Sequence, residues 1–122
     1  MAYNLLKPVQ IFTAQSMGVT LTSGAVEVRN QDNIGIQLHW TGTPTGTFAV
    51  QVSANHNEDI NGNILTAGNW VSIPLLPAIA AAGAADDAYI DLNQLSAAYI
   101  RIVYTRTGGA GSLDAFVTAK GV

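Results

Sequence analysis

Apolar and polar residues alternate in short runs along most of the chain, which is the spacing of strands with one buried face. The cleanest run is residues 33–41, where Ile34, Ile36, Leu38 and Trp40 fall on one side and Asn33, Gly35, Gln37 and His39 on the other. Phe48, Val50 and Val52 repeat the pattern after TGTPTG, in which Pro presets φ and two Gly tolerate positive φ, so residues 33–53 read as a hairpin. Strands are expected at residues 9–14, 18–29 (two strands around Ser23 and Gly24), 33–41, 46–54, 70–75, 88–92, 98–107 and 112–119. TGGAG reads as the turn of a second hairpin. LPAIAAAGAADDA reads as a loop with at most one helical turn, because Gly83 interrupts a short run. Leu92 and Leu95 are expected to plug one end.

This pattern predicts an all-β fold: a single antiparallel β-sandwich, jelly-roll or Ig-like, of about eight strands over residues 9–122. Residues 1–8 are expected to form an extended N-terminal arm. Tyr3, Leu5 and Leu6 are apolar there without an evident strand partner, and Pro8 closes the segment with a fixed φ. The arm is therefore a candidate strap onto a neighbouring subunit.

Composition sharpens this picture. A chain of 122 residues fits one domain. The lack of Cys excludes a disulfide framework, a zinc ribbon and a thiol nucleophile. Charged residues are 11% of the chain, against about 25% in ordinary domains, while 48% are hydrophobic. So neutral an exterior either faces neighbouring subunits, in a homo-oligomer or a lattice, which is the favoured reading, or is covered with Thr, Ser, Asn and Gln. Net charge is -3 and the five basic residues are scattered, which leaves no stripe to neutralise phosphates and argues against nucleic acid as a partner. Neither a secretory signal nor a membrane span is expected, since IPLLPAIAAAGAA is broken by two Pro and a Gly.

In YIRIVYTR, Ile100, Ile102 and Tyr104 alternate with Tyr99, Arg101 and Val103, so both faces carry large side chains. Such a strand lies centrally in its sheet or meets a neighbour, which makes Tyr99 and Arg101 candidate partner-binding residues. Asp91 or Asp114 is the expected carboxylate for Arg101. Trp40 belongs with the core. Trp70, at the mouth of a strand, is a further candidate contact.

Reactive chemistry is sparse. His39 and His56 lack metal-ligand spacing and are expected to be surface or interface imidazoles. There is no Gly-x-Ser-x-Gly elbow, and the adjacent carboxylates Asp86 and Asp87 point apart. TGGAGS lacks the Lys and helix of a phosphate loop. No enzyme activity, cofactor or resident metal is expected. In NEDINGN, the residues Asn57, Asp59 and Asn61 resemble half a calcium loop, but the closing acid would fall on Gly68. Asx turns account for the same residues, with calcium binding weak at most.

The run TGTFAVQVSAN, then NWVSIPL, AAAGAADDAYIDLNQLSAAYIRIVYTR and the Gly-rich SLDAFVTAK hairpin resembles small β-sandwich virion proteins of tailed bacteriophages over residues 30–122. That resemblance implies a non-enzymatic protein of the capsid decoration or cement type, or a tail accessory. Its partners would be the major capsid protein or other virion subunits. It would reside in the virion, assembled in the bacterial host cytoplasm, bound to the finished shell and stabilising it. The alternative is a tail-associated receptor- or carbohydrate-binding module that uses residues 55–69 and 78–88 together with Trp70.

Overall fold

A computed structural model describes residues 5–28, 31, 33–75, 78–93 and 97–120. The described residues form an all-β, antiparallel sandwich. Sheet A runs in the order β1 (Leu5–Ser16), β12 (Gly111–Lys120), β4 (Asn33–Gly42), β10 (Asp86–Asn93). In sheet B, β2 (Leu21–Thr22) and β3 (Val26–Glu27) flank β11 (Tyr99–Gly108), which pairs with β5 (Thr45–Ser53). On its far side β5 carries β8 (Val71–Ile73) and β9 (Ile79–Ala82). A separate small hairpin, β6 (Asn57–Glu58) with β7 (Ile64–Thr66), lies between β5 and β8 in sequence.

The alternating residues of β4 face inward as expected: Ile34, Ile36, Leu38 and Trp40 are buried, as are Phe48, Val50, Ile100, Ile102 and Tyr104 of the opposite sheet. Trp40, Phe48 and Tyr104 stack in series with centroids 5.0 Å apart, bridging the two sheets. Leu92 packs against this core. Leu95 lies outside the described residues.

The two expected hairpins are not hairpins. β4 lies in sheet A and β5 in sheet B, and likewise β12 and β11, so TGTPTG and TGGAG carry the chain from one sheet to the other. Alternation fixes which side chains point inward, and an arch satisfies it as well as a hairpin does. The stretch after β1 and the stretch from β9 to β10 make the same kind of crossing, so arches lie side by side at one end. The Met17 N–H donates to the Gly111 carbonyl (2.9 Å), Thr43 to Ala110 (2.9 Å) and Gly83 to Pro44 (2.8 Å). Gly42, Gly83 and Gly109 hold φ of 86°, 86° and 67° there. The strand order on the two sides of these crossings is that of a jelly roll.

The two strands expected around Ser23 and Gly24 are present as β2 and β3, both on one edge of β11 with a bulge between them, where Ser23 Oγ accepts the Ile102 N–H (2.9 Å). Two further expectations change. Ile79–Ala82, read as loop, is a strand, because small side chains leave its backbone free to pair with β5 and Ala81 fits the core. β1 begins at Leu5 rather than residue 9. Leu5 and Leu6 pair with Lys120 and Ala119, and the register slips between Leu6 and Val9, around Pro8, which has no N–H to give the ladder. Leu5 and Leu6 therefore have the strand partner that their sequence context did not reveal.

Candidate functional site

Between β5 and β8 the chain makes an excursion, residues 54–70, at the end of the sandwich opposite the arches. Its outer part is built by Asp59. One carboxylate oxygen accepts the N–H groups of Asn61 (2.8 Å) and Asn63 (2.9 Å), and the other accepts the Asn63 side-chain amide (3.1 Å). These bonds, led by the Asn63 backbone N–H, hold the Asp59 carboxyl below its ordinary range. Gly62, at φ 83°, completes the turn. Both oxygens of Asp59 thus serve the Asx-turn geometry, and among the described residues no three His, Asp or Glu side chains gather as a metal site.

What this turn presents is apolar. Ile60 is 100% exposed, Ile64 61%, Leu65 63% and, on the neighbouring edge strand, Val71 63%. An open concavity of about 470 Å³ lies beside it, lined by Glu27, Glu58, Asp59 and Tyr99 among others. The hairpin is an apolar ridge with an acidic flank.

The root of the excursion is pinned by His56, which was expected at the surface but is only 4% exposed. Its Nδ1 accepts the Gly68 N–H at 3.3 Å, which places the ring proton on Nε2, 2.7 Å from Glu58 Oε2. The ring stands edge-on to Tyr99 (centroids 5.0 Å apart, 87°) and 5.1 Å from Trp70. The Arg101 guanidinium lies 4.2 Å from the Trp70 ring centroid. The Tyr99 hydroxyl donates to Glu27 (3.2 Å) and accepts the Glu58 N–H (3.2 Å). A Cβ at Gly68 would overlap the His56 backbone, so the approach of these segments requires glycine there. Both imidazole nitrogens are committed to local bonds, and the ring organises the loop.

Three of the six residues predicted from sequence as partner contacts, Trp70, Tyr99 and Arg101, therefore come together. β11 is central, as expected, and the outer face around Tyr99, itself 3% exposed, is covered by the chain's own excursion. Arg101 does not use Asp91 or Asp114. Its Nε donates to Gln51 Oε1 (2.7 Å) on the adjacent strand, while Asp114 accepts the Ala14 N–H (2.8 Å) in sheet A. Leu5 and Leu6 lie at the same end but in the other sheet. Tyr3 lies outside the described residues. The expected recognition edge is divided, since residues 55–69 stand at the open end and β9 with its crossing at the arch end. His39 is exposed and pairs with Asp87, whose hydrogen bond and charge raise its pKa above the usual 6.5.

No family model matches the chain, and no curated protein matches it in sequence. Solved structures align with it at low identity. It is similar to VP2 in the infectious bursal disease virus subviral particle, with a TM-score of 0.53 and 11% identity over 98% of this chain and 32% of that one. It also aligns with dimeric latent PorU from Porphyromonas gingivalis (TM-score 0.47, 16% identity, 98% of this chain) and with the SPBc2 prophage-derived protein YomS (TM-score 0.47, 10% identity, 92% of this chain and 93% of that one). The chain spans only 13% of PorU and about a third of VP2. The likeness to VP2 is one of fold.

Proposed function

We propose that the chain is a structural, non-enzymatic component of a virion, a decoration protein that attaches to the assembled shell through the β6–β7 hairpin. The observation that carries this reading is the apolar ridge. Ile60 is wholly in water on the turn, Ile64 and Leu65 are exposed on β7 and Val71 on the edge strand β8, while Asp59 holds the turn and His56 its root. A rigid exposed apolar ridge marks a contact surface. Its acidic flank, Glu27, Glu58 and Asp59, fits a partner surface with an apolar recess and a basic rim.

The resemblance of residues 30–122 to tailed-phage virion proteins supports the same reading, as does a jelly-roll topology, which shell proteins use. The partner is the major capsid protein or another virion subunit, met after assembly in the host cytoplasm, and copies of the chain cover the lattice. Binding only the assembled state would stabilise it by mass action. The test is to add purified protein to shells that lack it and follow shell melting. A saturable rise in melting temperature is expected. Shells that neither retain the protein nor gain stability would overturn the assignment.

A further inference from the structure

The outer face of sheet A is a regular array across three strands. The register sets Asp87, His39 and Asp114 in one row, Tyr89, Gln37 and Phe116 in the next, and Asp91, Gly35 and Thr118 in the third. Gly35 leaves a depression in the middle. Tyr89 leans diagonally into it, so that a Cβ at position 35 would overlap the phenol, and Gly35 is buried on a face whose other positions are exposed on β4 and β10 and half-buried on β12. Tyr89 is nonetheless 59% exposed, with part of its ring directed to solvent. Two contiguous concavities of about 140 and 260 Å³ share Tyr89 and Thr118. The larger is lined by Tyr89, Gln37, Phe116 and Thr118, with Gln37 on the strand between those that carry the two aromatic residues.

We propose that this larger concavity binds a neutral pyranoside, held between the rings of Tyr89 and Phe116 over the Gln37 amide. A pyranose ring offers apolar C–H faces and a rim of hydroxyls, which matches two aromatic walls and a hydrogen-bonding floor and edges. An aliphatic or lipid occupant would bury the Gln37 amide and the nearby Asp91 without partners, which is unfavourable for the amide and more so for the carboxylate. Charge selects among sugars, because Asp87, Asp91 and Asp114 outnumber the basic Lys120 and His39 around the face and oppose an acidic one. Strand spacing of about 4.8 Å and a same-face repeat of about 6.8 Å put each cell of the array on the scale of one ring, and the shared wall at Tyr89 lets a disaccharide occupy both. This site is separate from the hairpin and from Trp70, and it does not depend on attachment to a shell.

Saturation-transfer NMR on the intact chain, with methyl glucopyranoside, methyl galactopyranoside, cellobiose and glucuronate as probes, tests it. Transfer to ring C–H protons of at least one neutral probe is expected, with glucuronate weaker. Tyr89→Ala should weaken binding by about tenfold, while Tyr89→Phe, which keeps the wall, should retain it. Gln37→Ala should weaken it by about two- to tenfold with the melting temperature unchanged. Ile60→Asp should leave sugar binding unaltered, which keeps this test apart from that of shell attachment. No transfer from any neutral probe, equal binding by Tyr89→Ala, or tighter binding of glucuronate would each overturn the proposal. So would loss of shell binding in Tyr89→Ala without any sugar signal, since the face would then be a protein contact.

Discussion

His56 Nε2 stands 2.7 Å from Glu58 Oε2, two residues away in the same excursion, and this short bond turns the chain back over sheet B. Because the ring is buried against Tyr99 and Trp70, its removal leaves Glu58 and the Gly68 N–H without their partner. His56→Ala is therefore expected to cost about 2 to 4 kcal/mol, from one charge-assisted hydrogen bond and the aromatic contacts. Limited proteolysis should show cleavage within residues 54–70 before the sandwich is attacked. Unchanged cleavage would mean that the hairpin is held by other contacts.

The arches depend on glycine at particular points. Gly109 has φ 67°, and a Cβ there would overlap the Thr43 carbonyl of the adjacent arch, whereas Gly108 has open space around it. Gly109→Ala should lower stability by about 2 to 4 kcal/mol in denaturant melts, and Gly108→Ala by less than about 1 kcal/mol.

The N-terminal strand should matter to the isolated domain. Leu5 and Leu6 pair with Lys120 and Ala119, so deleting residues 1–7 removes part of the β1–β12 ladder. A loss of about 1 to 3 kcal/mol in thermal melting is expected. A melting temperature equal to that of the full chain would restore the separable arm that the sequence suggests.

His39 provides a small pH-dependent term. Its pKa is raised in the folded state, first by the hydrogen bond to Asp87 and then by that carboxylate's charge. The stabilisation is thus complete below the unfolded value of 6.5 and fades as pH rises through the higher folded value. His39→Gln should reduce stability slightly at acidic pH and match the parent at alkaline pH, and the exposure of the pair keeps the difference small. A difference that grows with pH would contradict the sign.

The inward faces were legible because alternation is a local property: Ile34 to Trp40 and Ile100 to Tyr104 are buried as their spacing demands. Strand partners were not legible, since the same alternation and the same Gly and Pro turns serve a hairpin or an arch, and only the stacking of neighbouring arches decides between them. His56 was missed for a related reason. Nothing in its neighbours marks burial, which arises when residues 54–70 fold back onto Tyr99. Trp70, Tyr99 and Arg101 were found as isolated large side chains, yet their convergence depends on β5 lying beside β11. The Asx turn of Asp59 was legible, because it forms within a few residues.

The central claim is that the hairpin ridge attaches the chain to a shell, and Ile60 is its most exposed point. Ile60→Asp removes an apolar side chain that has no burial to lose in the free protein, so folding should be unaffected. Burying an isoleucine fully is worth about 1.5 to 3 kcal/mol, and its loss should weaken attachment by about tenfold or more. Quantitative cosedimentation of the parent and Ile60→Asp with assembled shells measures this directly. The account predicts a variant that melts like the parent but stays largely in the supernatant. Equal cosedimentation of the two would contradict it.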